Sequence, residues 1–214
     1  MTFFRNRIDA GRQLGARLAD YADRPDVIVL GLPRGGVPVA AAVASALNVP
    51  YDVFMVRKLG VPGHEELAMG AIAEGGISVL NQELIRSLAI PDSRVEQITA
   101  QEQIELDRRA RAFRGARPPP RVTGRTVILI DDGLATGASM EAAILALRAQ
   151  EPARIVVAVP VGARETCSRL SQVADDVVSV EMPEPFYAVG AWYDDFSQMT
   201  DDEVVRHLAS PGEP

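Results

Sequence analysis

The chain has one cysteine (Cys167), two histidines and one lysine (Lys58) in 214 residues. A single thiol excludes a disulfide framework and any multi-cysteine metal site. His64 and His207 lie far apart in sequence, which argues against a zinc centre. No uninterrupted apolar run reaches membrane-spanning length. The first residues, Met1–Gly11, alternate charge with aromatics and lack the apolar core of a signal peptide. Surplus positive charge is also missing: 22 basic side chains stand against 29 acidic ones, for a net charge of -7. Phosphate-backbone binding is driven by excess Lys and Arg, so a nucleic-acid partner is not expected. These absences leave a cytoplasmic globular protein with no membrane partner, of a length that suits one domain.

Two segments repeat one plan. Val27–Leu30 is a short β-branched apolar run, followed by the glycine-rich GLPRGG of 31–36 and an alanine-rich helix over Val37–Leu47. Thr126–Ile130 is a second apolar run, followed by DDGLATGAS at 131–139 and a helix over Met140–Gln150. Apolar strand, glycine loop, helix is the unit of an open, mostly parallel α/β sheet with helices on both faces. Tyr51–Val56, Arg154–Pro160 and Asp176–Val180 read as further parallel strands, and 163–172 as a helix. An Ala-Glu-Gly-Gly turn within 69–80 predicts a hairpin, and Pro118–Pro120 a stiff linker. The 6–20 stretch predicts an amphipathic helix with Ile8, Leu14 and Leu18 on one face.

Residues 93–114 predict a long helix, opened by a Ser93/Glu96 capping box and ended by Gly115. Glu105 precedes Arg109 by four, and Asp107 precedes Arg111 by four, as on an exposed, charge-paired face. The arginines at 108, 109, 111, 114, 117 and 121 could form an anion patch, but such pairing favours a solvated face.

In an open α/β sheet, ligands bind beyond the carboxyl ends of the strands, where both glycine loops sit. Asp131 and Asp132 can accept hydrogen bonds from a diol or attract a metal. Gly133, Ala135, Gly137 and Ala138 let backbone approach a ligand closely. Thr136 and Ser139 add hydroxyls where a helix begins, a position that favours anions. A ribose 5-phosphate has that combination of diol and phosphate. The segment lacks the Gly-Lys-Ser/Thr of a P-loop and the G-x-G-x-x-G of a dinucleotide fold. An aspartyl phosphatase would carry a second Asp where Gly133 stands.

Ile128–Ser139 (ILIDDGLATGAS) resembles the phosphoribosyl-pyrophosphate signature of the type I phosphoribosyltransferases. The resemblance implies a core over 1–181, with a mobile closing loop at about 58–76 and a helical insert at about 92–115. A hood with a C-terminal helix would occupy 182–214. By the same resemblance, Asp131 and Asp132 hold the ribose hydroxyls, directly or near Mg²⁺, residues 135–139 cradle the 5-phosphate, and Gly133 also belongs to the ribose 5-phosphate site. Pro33-Arg34-Gly35-Gly36 resembles the family's pyrophosphate loop, which would carry a non-proline cis peptide at Arg34–Gly35. Arg57 and Lys58 would assist Arg34 with the pyrophosphate, making Arg34, Lys58 and Asp132 the catalytic candidates. Phe186 and Asp194 resemble the base-binding pair of the hood. The implied activity is Mg²⁺-dependent transfer of ribose 5-phosphate from 5-phosphoribosyl 1-pyrophosphate to a nitrogen acceptor, by an enzyme that the family leads one to expect as a homodimer. A second reading is a non-catalytic regulatory protein that binds the same ligand, since purine enzymes of the family read the base with a lysine and this chain has only Lys58.

Overall fold

The computed structural model describes residues 4–209, apart from the side chain of Glu66. The ends of the expected core and hood, 1–3 and 210–214, lie outside the described residues. Five parallel strands form the central sheet: β1 (Val27–Gly31), β2 (Tyr51–Val53), β6 (Thr126–Ile130), β7 (Arg154–Val161) and β8 (Asp176–Glu181). Their order is β2-β1-β6-β7-β8. Every residue of β1 and of β6 is buried, which is why both read as unbroken apolar runs rather than alternating ones.

Helices cover both faces. On one side α1 (Arg7–Arg17) lies against α2 (Gly36–Leu47), and the two come very close. A methyl group on Gly11 would stand 2.6 Å from Ala42 Cβ, and one on Gly15 would stand 2.8 Å from Ala46 Cβ. Leu14 and Leu18 are buried as expected, but Ile8 is 40% exposed. The buried face of α1 is instead Ala10, Gly11, Leu14 and Gly15, small enough to sit directly on α2. On the other side of the sheet are α5 (Ala138–Arg148) and α6 (Arg164–Leu170), which bury Met140, Ile144, Leu147 and Leu170 against β6 and β7.

The expected strand 51–56 divides at Phe54. Its first part is β2; its second opens a separate antiparallel sheet of β3 (Val56–Val61), β4 (His64–Ala73) and β5 (Ile77–Leu80). The predicted 69–80 hairpin is present, with Gly75 and Gly76 at φ +83 and +78 in its turn. The stretch expected as a closing loop is therefore the β3–β4 hairpin and the turn after it. A short α3 (Gln82–Ser87) leads into α4 (Asp92–Arg114), and α7 (Asp201–Ala209) packs beside α4 and α2.

No capping box opens α4. The helix begins at Asp92, so Ser93 is already inside it, and Pro91 is its cap without a side-chain hydrogen bond. Of the two expected ion pairs, Arg109 binds Glu105 at 2.6 Å, whereas Asp107 accepts a hydrogen bond from Gln103. Arg114 departs furthest from the solvated face. It is buried, bridges Asp52 at 2.5 Å and Glu74 at 3.0 Å, and donates to the Val53 carbonyl. One arginine thus pins the end of α4 to both the central sheet and the hairpin sheet.

Candidate functional site

The sheet order reverses at β1, whose neighbours β2 and β6 follow by crossovers on opposite sides. Ligands of open α/β sheets gather at such a switch point. Here the loop after β1 (32–35) and the loop after β6 (131–137) leave adjacent strands and touch. The Leu32 N–H donates to the Ile130 carbonyl at 2.8 Å. A methyl group on Gly35 would stand 1.9 Å from Asp132 Oδ2, and one on Gly36 would stand 2.6 Å from the Ile130 carbonyl oxygen. The glycines let a carboxylate and a strand end lie directly on the start of α2.

The acidic pair is internally ordered. Asp131 Oδ1 accepts a hydrogen bond from the Asp132 N–H at 2.8 Å. Asp132 Oδ2 accepts one from Arg7 Nε at 2.8 Å, with the two side chains only 15% and 12% exposed. Each carboxylate keeps its other oxygen out of these bonds. Desolvation, and after it the Asp132 charge, pushes the Asp131 carboxyl well above the usual carboxylate range. Desolvation raises Asp132 too, against the pull of Arg7. Among the described residues no group of three or more His, Cys, Asp or Glu could enclose a metal ion. Two adjacent carboxylates do fit a hard cation that takes its remaining ligands from substrate oxygens and water.

Beyond the acids, the loop turns into α5 at Gly137, whose φ of +73 is one that glycine adopts without cost. The outer carbonyls of this turn are held by α6. Thr166 donates to the Ala135 carbonyl at 2.6 Å, and Arg169 to that of Thr136 at 2.5 Å. Gly133 accommodates Val189, whose two methyls would stand 2.4 and 2.8 Å from an added Cβ. Ala138 and Ser139 begin the helix, where unpaired amides and the helix dipole favour an anion.

Arg34 sits in the first loop, and its guanidinium stands 3.6 Å from Asp201 of α7. The cis peptide precedes this residue rather than following it, at Pro33–Arg34. Arg57 binds Glu102 of α4 at 2.5 Å. Arg57, Lys58, Pro33 and Ser139 share a cavity of about 470 Å³ between β3, α4 and the start of α5. The hairpin places the two basic residues in a cavity beside Leu32 and Pro33 of the first loop and the first turn of α5, which Arg34 and the acidic pair do not line.

The hood candidates sit differently. Phe186 packs against the cluster of Phe4, Trp192 and Tyr193, and Asp194 is exposed with its N–H donated to the Phe4 carbonyl. From this segment it is Tyr193 that reaches the acidic pair, donating its hydroxyl to the Asp132 carbonyl at 2.6 Å. Burial, then the Asp132 charge, raises the Tyr193 hydroxyl above its ordinary range, so it stays a donor. Neither Tyr193 nor Arg7 was marked by the sequence. Arg7 lies 125 residues from its partner, beyond any local spacing rule.

The phosphoribosyl transferase domain family matches residues 4–194. A Mycobacterium tuberculosis H37Rv protein named "Putative phosphoribosyl transferase Rv0571c" is 47% identical over 208 residues, which is 97% of this chain and 47% of that protein. The chain thus spans about half the length of that relative. The crystal structure of TT1426 from Thermus thermophilus superposes with a TM-score of 0.88 at 45% identity, covering 97% of this chain and 98% of that one. AQ2163 from Aquifex aeolicus, at 12% identity and a TM-score of 0.52 over 86% of this chain and 78% of its own, shares the fold.

Proposed function

The chain belongs to the phosphoribosyl transferase family, and from that premise we propose that it transfers ribose 5-phosphate from 5-phosphoribosyl 1-pyrophosphate to a nitrogen acceptor. The observation that carries this reading is the contact between the two loops, with Gly35 lying against the Asp132 carboxylate. A diol held by Asp131 and Asp132 leaves its 5-phosphate within reach of 135–139 and its pyrophosphate beside Arg34, Gly35 and Gly36. Arg34, with Lys58 and Arg57 at the hairpin edge, would stabilise charge gathering on the leaving group. The bond from ribose C1 to pyrophosphate breaks, a bond from C1 to nitrogen forms, and the acceptor gives up a proton. Most of the protein's contribution is positioning and fixed electrostatics. Asp131 and Asp132 would hold Mg²⁺, which supplies charge neutralisation at the pyrophosphate. Phe186 and Asp194 remain candidates for the acceptor side.

The test is incubation with phosphoribosyl pyrophosphate, Mg²⁺ and a panel of nucleobases. Pyrophosphate release that depends on a base supports transfer; tight binding without release supports the regulatory reading. The double substitution Asp131→Asn, Asp132→Asn should abolish Mg²⁺-dependent binding measured by calorimetry while the far-ultraviolet dichroism stays unchanged. Unaltered affinity would remove these carboxylates from the site.

A further inference from the structure

We infer that Arg7 is a positioning residue of the phosphoribose site, orienting Asp132 so that one of its oxygens is presented to the ribose hydroxyls. This rests on the ribose-binding reading of the acidic pair and goes beyond it by giving α1 a part in the site.

Arg7 is held from three directions. Its Nε donates to Asp132 Oδ2 at 2.8 Å, and its Nη1 donates to the Ser197 carbonyl at 2.9 Å. Its guanidinium carbon stands 4.1 Å from the centre of the Phe196 ring, an arrangement that favours a cation. Phe196 is in turn fixed by Tyr193, with ring centres 5.0 Å apart, and Tyr193 bonds the Asp132 carbonyl. Asp132 is therefore gripped at both its side chain and its backbone by one closed set of contacts. The same oxygen packs against Gly35, where an added Cβ would stand 1.9 Å from Oδ2. With Oδ2 bound by Arg7 and packed against Gly35, the direction of the other oxygen is set before any ligand arrives. A planar guanidinium that bonds two ways while stacking suits this task better than an ammonium would.

Arg7→Gln tests the inference, with Arg7→Lys as the conservative rescue. The probes are ribose 5-phosphate and 2,3-dideoxyribose 5-phosphate, titrated by calorimetry without added metal. The two share a phosphate and differ in the diol. Wild-type protein should prefer the ribose compound, and Arg7→Gln should lose about ten- to a hundredfold of affinity for it, the range of hydrogen bonds to a charged group. Its affinity for the dideoxy compound should hardly change, so the preference collapses. Arg7→Lys should recover much of it. An equal loss for both probes would show a purely structural role and overturn the inference while leaving ribose binding intact. Wild-type protein that does not distinguish the probes would overturn the ribose reading of Asp132, and this inference with it.

Discussion

Replacing Gly35 with alanine isolates the contact on which the site depends. Gly35 has φ -64 and ψ -31, a helical conformation that alanine adopts freely, so the backbone carries no penalty. What the added methyl meets is Asp132, with Oδ2 at 1.9 Å and Cγ at 2.5 Å. To reach ordinary van der Waals separation the carboxylate must withdraw by about 1.5 Å. The displaced oxygen is the one that accepts from Arg7 at 2.8 Å, and a shift of that size disrupts the bond unless α1 moves with it. A charge-assisted bond of this kind contributes about 1.5–3 kcal/mol. At roughly 2–4 °C per kcal/mol for a chain of this size, Gly35→Ala should lower the melting temperature by about 3–12 °C. Ribose 5-phosphate binding, read by calorimetry, should fall at least tenfold. Gly36→Ala is the informative companion. Its methyl would meet backbone, with the Ile130 carbonyl at 2.6 Å and Asp131 Cα at 2.9 Å, so it strains the strand end itself. Wild-type melting and wild-type affinity in Gly35→Ala would refute the placement of the carboxylate against this loop.

Two further outcomes follow from buried charge. Arg114→Met leaves Asp52 and Glu74 facing each other without their cation, which should cost about 3–5 kcal/mol in denaturant unfolding. Adding Asp52→Asn and Glu74→Gln should restore most of it, and a loss below about 1 kcal/mol in the single variant would contradict the bridging role. Asp131 has a folded pKa raised by desolvation, so its contribution to stability is fully present below the unfolded value of about 3.9 and is lost as pH rises through the folded one. In metal-free buffer Asp131→Asn should therefore melt higher than wild type at neutral pH, with the difference vanishing near pH 4. A lower melting temperature at neutral pH would show that the ionised carboxylate is favoured where it stands.

The parts of this protein legible in its sequence are those whose determinants are local. Thr126 is followed by four apolar residues, Val127–Ile130, because a central parallel strand is covered on both sides, and β6 has those same bounds. The loop-to-helix turn after it is legible too, because the glycines and small residues of 133–138 lead straight into α5. Arg7 could not be found this way, because its meaning comes from a fold that brings α1 beside the end of β6. Arg114 lies beyond local reading for the same reason. On a helical wheel it belongs to a charged face, and only its ion pairs with Asp52 of β2 and Glu74 just after β4 turn that position inward. The start of α4 was displaced by one residue because the extended Pro91 sets it, and not the hydroxyl of Ser93.

The grip on Asp132 has a consequence for the order in which the chain is made. Synthesis runs from the N-terminus, and Arg7 emerges long before its clamp partners Tyr193, Phe196 and Ser197. All five strands of the central sheet precede residue 182, so a nascent chain released to that point already holds every strand of that sheet, although Trp192, Tyr193, Val204 and Leu208 of the core are still to come. It would carry both glycine loops, yet nothing would hold the Asp132 carbonyl or steady the arginine over it. Ligand affinity should then arrive late in translation, separately from compactness. Stalled chains cut just before and just after residues 193–197 would show the two events apart.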